Sequence, residues 1–209
     1  MTLHDISVVT SSTTPEWPGD TPFSCGWTAR IGDGSSVNLT VVTGSPHVGT
    51  HADAPLHVND GGTSAERLPL EAFIGPALVI AVMGAPRDVG PELMERVPEG
   101  TIRLLLRTGA SIAGGAFPAD WPALTAAAAT ALAERGLRLL GVDAPSVDRR
   151  DSKELAVHHA LFNAGACILE NLDLRDVAEG RYELAAAPLR WAGVDAAPVR
   201  AVLRGPVAR

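Results

Sequence analysis

Cysteine, positive charge and long apolar runs are all in short supply in this chain. Two cysteines, Cys25 and Cys167, occur among 209 residues. They are too few for a disulfide framework and have no CxxC spacing, so each reads as a small core or loop side chain. Lysine and arginine are outnumbered 17 to 24 by aspartate and glutamate, giving a net charge of −7. That balance argues against nucleic acid or an anionic membrane as the main partner. No run of eighteen or more apolar residues is present to span a bilayer. The opening Met-Thr-Leu-His-Asp-Ile-Ser lacks the basic and apolar regions of a secretion signal, so a cytoplasmic location is expected. There is no P-loop and no dinucleotide fingerprint, and Gly109-Ala-Ser-Ile-Ala113 misses the G-x-S-x-G nucleophile elbow at its last residue.

Nearly half of the residues (46%) are hydrophobic, enough for a normal buried core. Short apolar runs of strand composition recur at Val37–Val42, Ala77–Val82, Ile102–Leu106, Leu137–Val142, Ala166–Leu169, Tyr182–Ala186 and Val199–Leu203. Helices are fewer. One covers Leu124–Arg135, alanine-rich and closed by Gly136; another covers Lys153–Asn163, capped by Asp151 and Ser152 and ended by Gly165. A shorter one is expected over Pro91–Val97. The alternation of strand and helix from Ile102 to Ala166 indicates an α/β chain with crossover units. No linker or composition shift divides the sequence, so residues 1–209 read as one domain. Ser11–Gly34 is dominated by Thr, Pro, Gly and Ser, with Trp17, Phe23 and Trp27 set into it, which marks a binding loop.

Five of the six histidines fall in two tight groups, His47/His51/His57 and His158/His159. His47, His51, Asp53 and His57 follow at intervals of four, two and four, so all would share one face of a strand. A straight strand would nevertheless hold His47 and His57 roughly 33 Å apart, too far for one site. The chain must bend, and Gly49 and Pro55 are where it can; Pro46, Gly49 and Pro55 also rule out a continuous helix. Imidazoles with a carboxylate are the usual ligand set for zinc and related ions, and an open coordination position suits hydrolysis. A polar turn would explain one such histidine, but poorly explains three and an aspartate within eleven residues.

A second group completes the picture. Glu170 ends the apolar run Ala166–Leu169; it reads equally as a surface strand end or as a buried carboxylate that needs a partner, for which a metal would serve. Periodicity leaves open whether His158 or His159 faces inward, because both lie near the face marked by Leu155, Leu161 and Phe162. Asp143 and Asp148 read as turn and cap residues, and Arg107-Thr-Gly109 as a turn.

These residues resemble the cyclase-like metal-dependent hydrolases, in their bacterial kynurenine formamidase (arylformamidase) branch. The resemblance runs through His4-Asp-Ile-Ser, Trp17-Pro-Gly-Asp-Thr-Pro-Phe23, the His47–His57 run, Gly141-Val-Asp-Ala-Pro-Ser-Val-Asp148, Asp151-Ser-Lys153, Ile168-Leu-Glu-Asn-Leu172, Pro188-Leu-Arg190 and Ala197–Leu203. It implies a swivelling β/β/α-type fold with a mixed central sheet or barrel flanked by a few helices. It also implies a homodimer and two divalent ions per subunit, zinc foremost and manganese as the substitute. By the same likeness His47, His51 and Asp53 hold one ion, Asp53 bridges to a second, and Glu170 contacts both. The histidine twelve residues before Glu170, His158, completes the second set. His57 matches the family's proton donor and acceptor, and Trp17 its substrate-facing aromatic. Val58 departs from relatives that carry an aromatic after the last histidine, which puts the pocket's shape in doubt. The implied reaction is hydrolysis of N-formyl-L-kynurenine to L-kynurenine and formate. The alternatives are a related enzyme opening another cyclic or aryl amide of isatin type, and a metal-binding protein without catalysis.

Overall fold

The structure is a computed structural model and describes residues 2–207. The strands, in chain order, are β1 (Thr2–Asp5), β2 (Ser24–Ala29), β3 (Leu39–Thr43), β4 (His51–Asp53), β5 (Ile74–Ala81), β6 (Asp88–Val89), β7 (Arg103–Arg107), β8 (Ala123–Leu124), β9 (Leu139–Val142), β10 (Cys167–Glu170), β11 (Gly180–Ala185), β12 (Ala196–Pro198) and β13 (Val202–Gly205). The helices are the single turn α1 (Leu70–Phe73), α2 (Ala126–Glu134) and α3 (Ala156–Asn163). None of them is long and apolar enough to cross a membrane.

Nine strands form one mixed sheet in the order β1-β13-β11-β5-β7-β9-β10-β4-β12. The block β5-β7-β9-β10 is parallel, with α2 and α3 as its crossovers, and the flanking pairs are antiparallel. The α/β class and the mixed central sheet are therefore as expected, in the open form: β1 and β12 end the order.

The connectivity requires this sheet to curl. Strand β12 stands ninth in the order and β13 second, seven places away, which on a flat sheet is roughly 34 Å at about 4.8 Å per strand. The chain passes from Pro198 to Val202 between them, a reach of at most about 14 Å. The two ends of the sheet must therefore approach each other, and bonds across the gap follow: Asp173 N–H donates to Ile6 O, and Val8 N–H to Thr50 Oγ1, each at 2.8 Å. This is also why the apolar run Val199–Leu203 is not one strand. It spans the jump between β12 and β13.

Both faces of the parallel block are covered. Leu104, Leu106, Leu140 and Ile168 pack with Leu132 of α2 and Leu161 of α3 on one side. Leu105, Leu139 and Leu169 pack with Phe73, Tyr182 and Leu203 on the other. Two-sided burial is what makes these strands legible as unbroken apolar runs.

Local differences from the sequence expectations have local causes. Helix α2 ends at the left-handed Gly136 (φ 86°) as expected but starts at Ala126 and not Leu124, which pairs in β8; Thr125 Oγ1 caps it by accepting from Ala128 N–H. Helix α3 begins at Ala156, not Lys153: Leu155 is left-handed at φ 45°, and the exposed helix amides are capped from outside by Asp148. Pro91–Glu95 is a 3-10 turn where a short helix is expected. Val37–Val42 does contain strand, but β3 pairs only with β2, in a hairpin apart from the main sheet, so part of the Ser11–Gly34 segment is regular.

Candidate metal centre

The site forms where the parallel block ends. Loops leave the carboxyl ends of β9 and β10, and beside β10 the antiparallel β4 reverses the strand direction, as at the crevices of open α/β sheets. His51 and Asp53 alternate onto one face of β4, and Glu170 of β10 stands opposite His51 in register. The bend expected before them is present: Gly49 adopts φ 79°, and Thr50 fixes the turn by donating to Asn171 O at 2.6 Å. After β4, Pro55–His57 forms a 3-10 turn that carries His57 back over the cluster. His47 and His57 thus come together, with ring centroids 4.4 Å apart.

Each inward-facing imidazole is oriented by an acceptor behind it. Gly49 O accepts from His51 Nδ1 at 2.9 Å, Asp195 Oδ2 from His47 Nε2 at 3.0 Å, and Asp148 Oδ2 from His158 Nδ1 at 2.7 Å. Carbonyl and carboxylate oxygens only accept, so each outer nitrogen carries a proton, and the inner nitrogen is the one left to bind a metal. His47 Nδ1 and His51 Nε2 lie 3.1 Å apart, and 3.1 and 3.2 Å from Asp53 Oδ1. That buried oxygen has no hydrogen-bond partner. On the other side of the same carboxylate, His158 Nε2 lies 3.2 Å from Asp53 Oδ2 and 3.5 Å from Glu170 Oε1.

Two ring nitrogens and a carboxylate oxygen within about 3.2 Å of one another are held so close only by a shared positive charge, a proton or a metal ion. A tetrahedral site with bonds of about 2.0–2.1 Å has ligand–ligand edges of roughly 3.3 Å, so the donor set fits a zinc-like ion. Asp53 turns one oxygen to each histidine set, the arrangement a bridging carboxylate needs. The outer acceptors are the partners that metal-bound histidines usually have. Two further groups within ligand reach of one another include His57, one with His47 and Asp195 and the other with Asp53 and His158.

The electrostatics agree. Burial disfavours a charged His47, yet the Asp195 and Asp53 carboxylates outweigh it and raise the imidazole to about 10. His158 is likewise raised to about 10 against its burial, by Asp148, Asp53 and Glu170. Burial, then the charge of Asp53, pushes Glu170 up to about 7. Asp53 is held well below the usual carboxylate range despite complete burial, by its three histidine neighbours. Burial lowers His57, which keeps it neutral, and it reaches Asp195 Oδ2 through Nδ1 at 3.2 Å. The cluster is a buried concentration of carboxylate charge that attracts positive charge, whether protons or metal.

All of the expected site residues meet here. The ambiguity between the paired histidines is resolved geometrically: His158 is buried in the cluster, whereas His159 is exposed. Trp17 lines the cavity above the cluster and stands edge-on to Phe117 at 5.5 Å and Trp121 at 6.1 Å, so it both anchors its loop and faces the site. The cavity measures about 700 Å³, within the range of small-molecule sites. Asp195 was not legible in the sequence. It lies 148 residues from His47, in a segment without motif character. Asp148 does cap α3 as expected, through Val157 and His158 amides at 3.0 Å, but it also aims the His158 ring. Asp148→Asn is therefore expected to destabilise the fold by about 1–3 kcal/mol in thermal unfolding. It should also weaken metal binding by about 10–100-fold in a metal titration. Unchanged metal affinity would leave Asp148 as a cap alone.

A family model described as putative cyclase matches residues 4–149, and the chain belongs to this cyclase family. A kynurenine formamidase of Bacillus cereus is 45% identical to it over 200 residues, which cover 96% of each chain. A structure described as a potential metal-dependent hydrolase with cyclase activity superposes with a TM-score of 0.83, at 30% identity over 97% of this chain and 96% of the other. Isatin hydrolase A from Labrenzia aggregata has a TM-score of 0.78 at 24% identity, covering 97% and 93%, and shares the fold.

Proposed function

We propose that the protein is a metal-dependent kynurenine formamidase that hydrolyses N-formyl-L-kynurenine to L-kynurenine and formate. The observation that carries this reading is the cavity itself: a His/Asp/Glu floor with an uncommitted imidazole, His57, under an aromatic wall of Trp17 and Phe117. The name of the Bacillus cereus relative supports the substrate. The isatin-type alternative has its support in structures that are only distantly related in sequence.

His47, His51 and Asp53 would hold one divalent ion, Asp53 and His158 a second, and Glu170, which faces both His51 and His158, would contact both. Zinc suits this donor set best, and manganese is the substitute. Such ions, when bound, supply Lewis acidity toward a carbonyl and make a water acidic enough to ionise near neutral pH. The rest falls to the chain. Trp17 and Phe117 flank the aryl ring and keep bulk water from it. His57 holds its Nδ1 proton against Asp195 and offers Nε2 to the reacting atoms. It takes a proton from the attacking water as the C–O bond forms at the formyl carbon. It then returns that proton to the aryl nitrogen as the C–N bond breaks, releasing formate and the free arylamine.

The test is hydrolysis of N-formyl-L-kynurenine by purified protein, followed optically before and after chelation and after adding back zinc or manganese. Loss on chelation and recovery with metal is the expected result. Metal-loaded protein that leaves this substrate intact while opening a cyclic amide would overturn the formamidase assignment and leave a hydrolase.

We also read the protein as a cytoplasmic homodimer. Its two cysteines are unbridged, which suits a reducing compartment. A lone two-stranded hairpin is marginal in water, and β2–β3 exposes Trp27, Leu39, Val41 and Val42, surface that a second copy would cover. Light scattering is expected to give a dimer mass for the wild type and a smaller mass for Trp27→Glu/Val41→Glu. A wild-type monomer would overturn this reading.

A further inference from the structure

Two cations of the cavity take no part in the chemistry above, and one of them belongs to the Asp151-Ser-Lys153 segment. Arg150 and Lys153 line the same cavity as His47, His57, Trp17 and Phe117. The neighbouring arginines are engaged by carboxylates: Arg149 pairs with Asp88 at 2.9 Å and Asp151 at 3.4 Å, and Arg87 with Asp120 at 2.6 Å. Arg150 instead donates one N–H to Ala119 O at 3.3 Å and lies 5.4 Å over the Phe117 ring. Among the described residues, neither Arg150 nor Lys153 forms an ion pair with a carboxylate of the chain. Of the three carboxylates that line the cavity, Asp20 accepts from Thr21 N–H at 2.7 Å and the other two are committed to the cluster. Asp195 serves His47 and His57, and Glu170 accepts from Val147 N–H at 2.7 Å while facing His51 and His158.

We propose that Arg150 and Lys153 are specificity residues that bind the α-carboxylate of an aryl formamide bearing an amino-acid side chain. This rests on the formamidase reading and adds to it how substrates are told apart. The chain carries a net charge of −7, and Asp20, Glu170 and Asp195 line the cavity, so an anionic substrate meets an unfavourable field on approach. The two unpaired cations in the cavity wall offset that field. They also direct the carboxylate outward, which leaves the formyl end to face His57. The Arg150 guanidinium lies against Phe117, which limits its motion and leaves N–H groups for a bidentate grip on a carboxylate. A cavity of about 700 Å³ has room for both the ring and the amino-acid arm.

The experiment compares two substrates that differ only in that arm, N-formyl-L-kynurenine and 2′-formamidoacetophenone, with the zinc-loaded enzyme. The wild type is expected to prefer the amino-acid substrate in kcat/KM. Arg150→Gln and Lys153→Gln should each lower kcat/KM for it roughly tenfold, through KM, and the double variant about 100-fold. Turnover of the truncated substrate should stay within about twofold, and Arg150→Lys should restore most of the loss. Equal losses on both substrates would show that these residues only shape the wall, and unchanged selectivity would show that they bind nothing; either overturns the inference while the formamidase reading stands. If wild-type enzyme, shown by mass spectrometry to hold metal, cleaves neither substrate, the formamidase reading falls and this inference with it.

Discussion

Asp53→Asn is expected to empty both halves of the site at once. The substitution keeps the shape of the side chain and removes only its charge. That charge is completely buried, with one oxygen turned toward His47 and His51 and the other toward His158. An amide can present one oxygen to one ion, but its NH₂ group faces the other histidine set with protons where a lone pair is required. The loss should therefore exceed the effect of an outer-shell change, at least about 100-fold in metal affinity, with activity falling in step. Metal content after dialysis, measured by mass spectrometry beside the wild type, is the readout. A variant that keeps both ions would show that Asp53 does not bridge.

His57→Ala should separate chemistry from metal binding. The His57 side chain is 30% exposed, unlike those of His51 and His158 at 1% and 2%, and it rests on Asp195 instead of being enclosed by the cluster. Burial lowers its pKa, so it is neutral and ready to accept a proton near pH 7. Removing a positioned proton carrier typically costs about 10²–10⁴-fold in rate, and that loss is expected in kcat with metal content and melting temperature close to wild type. His57 also lies within ligand reach of both histidine groups, so the alternative outcome is concrete. Metal lost along with activity would make His57 a ligand, and the proton carrier would have to be sought elsewhere.

Much of this site is legible in the amino-acid sequence, for identifiable reasons. The run from His47 to His57 packs four ligand-type residues into eleven positions, and its glycine and prolines force the bend that lets them converge. The strands of the parallel block are legible because both faces are buried. By contrast, β4 and β12 are three residues long, too short for any periodicity to register, and β2 lies in a segment of loop composition. The choice between His158 and His159 is closed to periodicity because both border the apolar face. Asp148 decides it, holding the ring of one and capping the helix beneath it.

Residue type and local spacing were enough to specify the α/β class, the chemical kind of the site and most of its donors. How the donors face one another is a property of the tertiary structure alone. The pairing of β12 with β4 places Asp195 behind His47 and His57, and β10 places Glu170 opposite His51. Such pairings join residues more than a hundred positions apart, as with Asp53 and His158, and a one-dimensional pattern carries no record of them. They are fixed only when the apolar faces of the sheet are buried and the polar groups left at its edge must find partners.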